Sequence, residues 1–242
     1  MRLNIALNKA TRQKSDLEPV NYESYLANDG STRQLNAPLV QYGVCAHTQN
    51  SANEWWVVNV GDSFNIFNIE IYGRMDNYYT RFKDFDVDVI KPQSRRCPLT
   101  FGNIDQGIVS FSFYVKDPVK YINITCTSNT FGQFIRIRNR SAEFLTLCEV
   151  EVYGELATES VEKASYQGFP GKIYNGNTIA SLSVSSSVQC TVLCRQTSCC
   201  YAASFNSKSK MCKLREKTSV INSEFLQNSE WNVYTFSVEL FK

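Results

Sequence analysis

Apolar and acidic residues alternate without a break in Phe85-Asp86-Val87-Asp88-Val89, and a period of two is what a strand with one buried face requires. The same period recurs where Ile122, Ile124 and Cys126 flank Asn123 and Thr125, along Gln133 to Arg138, and along Leu147 to Val152. Ser63 to Tyr72 alternates as well but slips once at Phe67-Asn68, which predicts a bulge. No helical period interrupts residues 54–154, so this stretch predicts an antiparallel sandwich. Asp84, Asp86 and Asp88 read as the solvated face of one of its strands.

Glu155 to Ser165 is polar, lacks the alternation, and reads as a linker or a short helix. Beyond it the composition changes. Residues 166–236 hold five of the nine cysteines, Cys190, Cys194, Cys199, Cys200 and Cys212. Ser186 to Gln196 predicts a short helix with Cys190 and Cys194 one turn apart on one face. The expected organisation is a domain over 1–154, a linker over 155–165, and a small disulfide-rich α+β domain over 166–242 that staples itself because its core is thin.

Nine cysteines stand against a single histidine, His47. A zinc cluster would have to be built almost without imidazole, and the repeated C-x2-C pairs of a zinc ribbon are missing. The oxidised reading is stronger: a secreted, extracellular protein with up to four disulfides and one cysteine left over. The sequons Asn123-Ile-Thr125 and Asn139-Arg-Ser141 agree with a glycoprotein of that compartment. Met1-Arg2-Leu3-Asn4 has no apolar stretch of the signal-peptide kind, so the sequence reads as a mature or truncated form. No run approaches transmembrane length, so membrane insertion is not expected. A net charge of +2 gives no general attraction to nucleic acid.

Three features converge on one family. His47 is followed after 26 residues by Arg74, then by Asp76, and after four more by Arg81, the spacing H-x26-R-x-D-x4-[R/K]. The opening Asn4 to Thr11 (NIALNKAT) is similar to a family first strand, and Glu54 to Gly61 and Leu145 to Gly154 look like signatures of discoidin-type jelly rolls. Over roughly residues 3–154 the chain resembles the F-type lectins, or fucolectins. The resemblance implies a mainly β fold, an antiparallel β-sandwich jelly roll of the discoidin-like kind. It also implies fucose binding by His47, Arg74 and Arg81, with Asp76 bracing the arginines. The chemistry suits a neutral sugar: arginine offers a planar fork of donors, and neutral histidine offers one donor and one acceptor. Many members follow the Arg-x-Asp with two adjacent cysteines, where this chain has Asn77 and Tyr78. Tyr78 or Tyr79 then stands as the apolar platform for the fucose methyl.

The resemblance further implies a structural calcium, Ca2+, at the Asp29-Gly30-Ser31 turn, with Asp29 and Glu149 as carboxylates and Leu26, Ser31, Val44 and Cys148 supplying carbonyl oxygens. It implies the disulfides Cys45–Cys148 and Cys97–Cys126. The second domain resembles a PAN/apple module through Cys190-x3-Cys194, Cys200 to Phe205 and Cys212-Lys-Leu214, which implies Cys190–Cys212 and Cys194–Cys200. Cys199 is then unpaired, unless it replaces Cys200, and offers an intermolecular bridge or a buried thiol.

The resulting expectation is a non-catalytic lectin for fucosylated glycans, assembled as a homo-oligomer because one shallow site binds weakly. Protein partners would engage the PAN-like domain. The alternative is a discoidin-type module that docks on phospholipid or protein through Tyr78-Tyr79 or Phe101. A glycosidase would need two carboxylates facing a scissile bond, which the alternating aspartates do not suggest.

Overall fold

The computed structural model describes residues 3–18, 22–31, 44–92, 97–157, 162–217 and 225–240. The chain divides into two compact units, Met1–Pro92 with Leu99–Ala157, and Gln93–Pro98 with Thr158–Lys242.

The first unit contains strands β1 (Ala10–Gln13), β2 (Ala46–His47), β3 (Trp55–Tyr72), β4 (Phe85–Lys91), β5 (Ile108–Val115), β6 (Tyr121–Thr125), β7 (Phe131–Asn139), β8 (Thr146–Leu147) and β9 (Glu149–Leu156). All of their pairings are antiparallel. The long β3 organises the unit. Trp55 to Asn59 pair with β1 and β7, in a sheet continued by β4 and β5, whereas Ile66 to Tyr72 pair with β9 and, from Asn68, with β6. Between the two halves Gly61 adopts φ 100°, a conformation that side chains disfavour, and the pairing with β7 shifts between Asn59 and Phe64. The apolar faces enclose Trp56, Val58, Ile69, Ile71, Phe85, Val87, Ile135, Ile137, Val150 and Val152, the core of a discoidin-like jelly roll. The slip in alternation is a bulge: the β3–β9 register shifts between Ile66 and Asn68, and the Phe67 carbonyl accepts the Cys126 N–H at 2.9 Å.

Asp86 and Asp88 are not solvated, contrary to the sequence reading. Both are 4% exposed. Strand β7 carries arginines at the same period, so Asp86 lies opposite Arg138 and Asp88 opposite Arg136. Arg140 also grips Asp86 with Nε and Nη2 at 2.9 and 2.7 Å, and Arg136 bonds both Asp88 and Asp105 at 3.0 and 2.9 Å. Alternation tells which residues share a face but not what covers them. The opening NIALNKAT segment is mostly a turn instead of a strand. Asn4 bridges Tyr153, Asn8 takes φ 56°, and β1 begins only at Ala10.

The second unit holds β10 (Glu162–Tyr174), β11 (Thr178–Ser183), α1 (Ser187–Gln196), β12 (Ala202–Asn206), β13 (Met211–Arg215) and β14 (Phe225–Leu240). Its sheet runs β10-β14-β12-β13-β11. Ser186 caps α1 by accepting the Gln189 N–H, and the helix buries Cys190 and Cys194. The expected linker is shorter than 155–165: Glu155 and Leu156 continue β9 against β3, and Glu162 to Ser165 open β10 against β14. Residues 158–161 lie outside the described residues. Polar residues still enter a strand when a neighbouring strand offers backbone partners.

The disulfides are Cys45–Cys148, Cys190–Cys212, Cys194–Cys200 and Cys97–Cys199. The last corrects the expected Cys97–Cys126 bond and the expected unpaired Cys199. Cys97 lies in the segment grouped with the second unit, whereas Cys126 packs on the core of the first. Cys126 is the free cysteine, and burial pushes its thiol up to about 11. It is therefore a protonated thiol at neutral pH.

Candidate functional site

The segment between Tyr72 and Phe85 is pinned before any functional side chain is placed. The Gly73 N–H donates to the Lys120 carbonyl at 2.8 Å, and a Cβ on Gly73 would fall 2.6 Å from the Phe82 ring. Phe82 in turn stacks on buried Phe85 at 4.3 Å. Between these anchors runs a 3-10 helix, Asn77–Arg81, whose N-cap is Asp76.

Asp76 serves two partners. Its carboxylate accepts the Tyr78 N–H at 3.1 Å, which starts the helix. It also accepts a two-pronged pair from Arg74, Nε at 3.0 Å and Nη2 at 2.6 Å. Such parallel charge-assisted bonds fix the plane of the guanidinium as well as its position. The Arg74 bonds hold the Asp76 carboxyl below its ordinary range. Asp76 braces only Arg74 directly. Arg81 depends on it through the helix and finds its own carboxylate in Glu143, 4.0 Å away.

Both arginines lie over Tyr78, with guanidinium carbons 4.9 Å (Arg74) and 4.7 Å (Arg81) from its ring centre. The ring's π electrons attract both cations. Tyr78 remains 53% exposed and so presents free ring surface. Tyr79 is used elsewhere, with the Lys120 ammonium 4.7 Å from its centre. Phe101 does not project either: it packs edge-on against buried Phe134 at 5.5 Å, beneath the Arg12 guanidinium.

His47 is placed by the β2–β8 pair, in which it faces Thr146, and is 5% exposed. Its Nδ1 lies 2.9 Å from the Thr48 carbonyl. A carbonyl only accepts, so Nδ1 carries the proton and Nε2 is left as an acceptor. Burial, opposed by that hydrogen bond and reinforced by Arg74 and Arg81, brings His47 down to about 4. The ring is neutral at physiological pH. Tyr22 tilts against it at 5.3 Å, and Phe144 meets it edge-on at 5.1 Å. Phe144 also lies 5.2 Å from the Arg81 guanidinium.

The result is a neutral acceptor on His47, unused guanidinium donors on Arg74 and Arg81, and aromatic surface from Tyr78 and Phe144. A sugar hydroxyl can donate to the imidazole while accepting from a guanidinium, and a ring oxygen or second hydroxyl can accept the remaining N–H groups. Glu143, Phe144 and Tyr22 were not singled out from sequence. Their only signal is position: Glu143 and Phe144 immediately precede the strand that pairs with β2.

The residues expected to hold calcium also converge. Glu149 opens β9, and the 3-10 helix Ser24–Ala27, which contains Leu26, packs beside that strand. The Cys45–Cys148 bond brings Val44 to the same place. The Asp29 carboxylate accepts the Ser31 N–H at 2.7 Å, and Gly30 adopts φ 75° and donates to Glu149 Oε1 at 3.3 Å. Glu149 is 2% exposed, and its Oε2 has no partner among the described residues. The neighbouring Asn28 Oδ1 is orphaned in the same way. Burial, aided by the Asp29 charge, pushes Glu149 up to about 8. Among the described residues no group of three His, Cys, Asp or Glu side chains stands ready for a metal. The donor set is two carboxylates with backbone oxygens, which fits a hard oxygen-seeking cation and not zinc.

A family model for a NedA-like, galactose-binding domain matches residues 26–137, and one for a PAN domain matches residues 162–238. Among curated proteins, Fucolectin-6 of Anguilla japonica is 26% identical over 113 residues, 46% of this chain and 54% of that relative. The chain thus spans about half the length of the curated relative it matches. A fucose binding module of Streptococcus pneumoniae, SpX-3, is 27% identical with a TM-score of 0.50, covering 62% of this chain and 97% of the module. The serum F-lectin of striped bass, Morone saxatilis, has a TM-score of 0.53 at 15% identity, covering 99% of this chain and 100% of that one, a likeness of fold. Residues 26–137 thus match a galactose-binding-type domain and residues 162–238 a PAN domain, and the first is similar to a fucolectin.

Proposed function

We propose that this protein is an extracellular lectin that binds terminal L-fucose without catalysis, and that calcium clamps the loops around its site. The observation that carries the reading is the Asp76-clamped Arg74 and Arg81, both over Tyr78, with a neutral His47 set against Phe144, whose ring also lies under Arg81. The relatives named for fucose binding support the choice of sugar. Four disulfides agree with an oxidising compartment, and no described helix is long and apolar enough to cross a membrane. Asp86 and Asp88 are each committed to arginines, which favours binding over glycoside hydrolysis. The docking alternative loses two of its three spikes, since Phe101 and Tyr79 are already engaged, and keeps only the exposed Tyr78. One shallow site gives modest affinity, so useful avidity comes from several sites per assembly. Cys199 does not bridge that assembly, being bonded to Cys97.

A glycan array competed with free L-fucose tests the reading. Fucosylated glycans should bind and be displaced, while non-fucosylated partners of the same backbone should not. Retention that ignores millimolar fucose would count against it.

Calcium should raise the melting temperature of the first domain, and chelation should lower it. Glu149→Gln should abolish most of that calcium response. Differential scanning calorimetry with calcium and with chelator reads both, and an unchanged response in the variant would remove Glu149 from the clamp.

Acid should act late. With His47 lowered to about 4, fucose affinity at saturating calcium should stay level from pH 8 to 5 and fall as pH approaches 4. Between the ordinary value of 6.5 and about 4 the unfolded state binds the His47 proton and the native state does not, so stability declines as pH falls through that window. A midpoint for fucose binding near 6.5 in a calorimetric titration would contradict the neutral acceptor.

A further inference from the structure

The two sequons have opposite surroundings. Asn139 closes β7, is 2% exposed, and donates from Nδ2 to the Glu143 carbonyl at 2.7 Å while its backbone N–H bonds Glu54 at 2.9 Å. It thereby holds the turn that presents Glu143 to Arg81 and Phe144 to His47. A glycan there has no space in the native fold, so chains modified at Asn139 would not reach it.

Asn123 is the reverse case. It sits in β6, whose only strand partner among the described residues is β3, opposite Glu70. The period of two places Tyr121, Asn123 and Thr125 on the same outward face, and all three are exposed while Ile124 between them is buried. The exposed Asn123 amide makes a long contact, 3.5 Å to Glu70 Oε1, and touches the neighbouring Tyr121 hydroxyl. Tyr121 is 41% exposed and paired with Tyr72 at 4.7 Å, so an aromatic surface lies beside the amide, where a first sugar ring can rest.

We infer that the native protein carries one N-linked glycan, on Asn123 and not on Asn139. The Nδ2 atom bonds to the anomeric carbon of a polyprenyl-pyrophosphate-linked oligosaccharide. The sugar–phosphate bond breaks, and the amide proton leaves with the pyrophosphate. The attachment point pairs with Glu70 near the end of β3, four residues in sequence before Arg74. The inference rests on passage through a secretory pathway, part of the extracellular reading.

The full chain, directed through the secretory pathway of insect cells behind an added leader, provides the test by intact mass before and after peptide N-glycosidase. Thr125→Ala and Ser141→Ala remove each sequon while keeping both asparagines. Wild type and Ser141→Ala should carry one removable glycan, and Thr125→Ala none. A glycan that survives Thr125→Ala, one that is lost in Ser141→Ala, two glycans on wild type, or none on wild type would each overturn it. Retention on a fucose column, measured on the same samples, separates the inference from the lectin reading. Thr125→Ala should bind as wild type does. A missing glycan with intact retention sinks only the modification, and a single Asn123 glycan without retention sinks only the lectin.

Discussion

Replacing Arg74 with alanine should lower affinity for fucosylated glycans at least a hundredfold while leaving the melting temperature nearly unchanged. Arg74 spends two of its N–H groups on Asp76, which leaves a rigid fork of the others for the ligand. Hydrogen bonds to a charged donor contribute roughly 1.5–3 kcal/mol each, so losing two of them exceeds about 2.7 kcal/mol, a hundredfold. Arg74→Lys should recover little, because a lysine is a point charge and cannot hold both Asp76 and a sugar in one plane. Asp76→Asn should weaken binding less than Arg74→Ala, and the two changes combined should cost no more than Arg74→Ala alone, since one acts through the other. Calorimetric titration against a fucosylated trisaccharide reads these values, and additive losses would show that Asp76 has a role of its own.

That chain of contacts marks what is legible in a sequence. A period of two is local, so the strands from Trp55 to Val152, the bulge at Phe67 and the helix that buries Cys190 and Cys194 can be foreseen from neighbouring residues alone. The Arg-x-Asp pair is nearly as local, because two residues of chain bring a guanidinium onto its carboxylate. What depends on meeting in space was not legible. Glu143 and Phe144 join the site only because β8 pairs with β2, and Asp86 is buried only because β7 repeats arginine at the period of β4. Thiols pair by proximity, so Cys97 found Cys199 rather than the Cys126 that the resemblance implied.

The candidate site also shows a division of labour. Its polar residues stand at the ends of core strands, His47 on β2 and Arg74 two residues past β3, so their backbones inherit the rigidity of the jelly roll. Its aromatic wall comes from short connections, with Tyr78 in the 3-10 helix and Phe144 just before β8. Variation of the connections changes the wall without disturbing the anchor, which is how a fixed scaffold supports differing specificities.

Removing the Cys45–Cys148 bond should have the largest effect on stability and should reach the sugar site as well. The bond spans a sequence separation of 103 residues. Loop-closure entropy for about that length corresponds to ~4–5 kcal/mol. For a protein of this size each kcal/mol moves the melting temperature by about 2–4 °C, so the paired serine variant should melt roughly 10–20 °C lower. Cys45 lies two residues before His47, and Cys148 immediately precedes Glu149. Cutting the bond therefore releases the strand that positions the imidazole and the strand that opens with Glu149, the carboxylate of the proposed clamp. Fucose affinity should fall even at temperatures where the variant remains folded, and added calcium should recover less of it than in wild type. The Cys190–Cys212 bond is the control, since it closes a much shorter span of 22 within the other unit. Its removal should destabilise the PAN domain and leave fucose affinity per site unchanged. Scanning calorimetry with fucose titration at 15 °C on both variants decides the matter: equal losses of affinity in the two would show a general loss of folding, and no loss in the first would show that the bond does not set the geometry of His47.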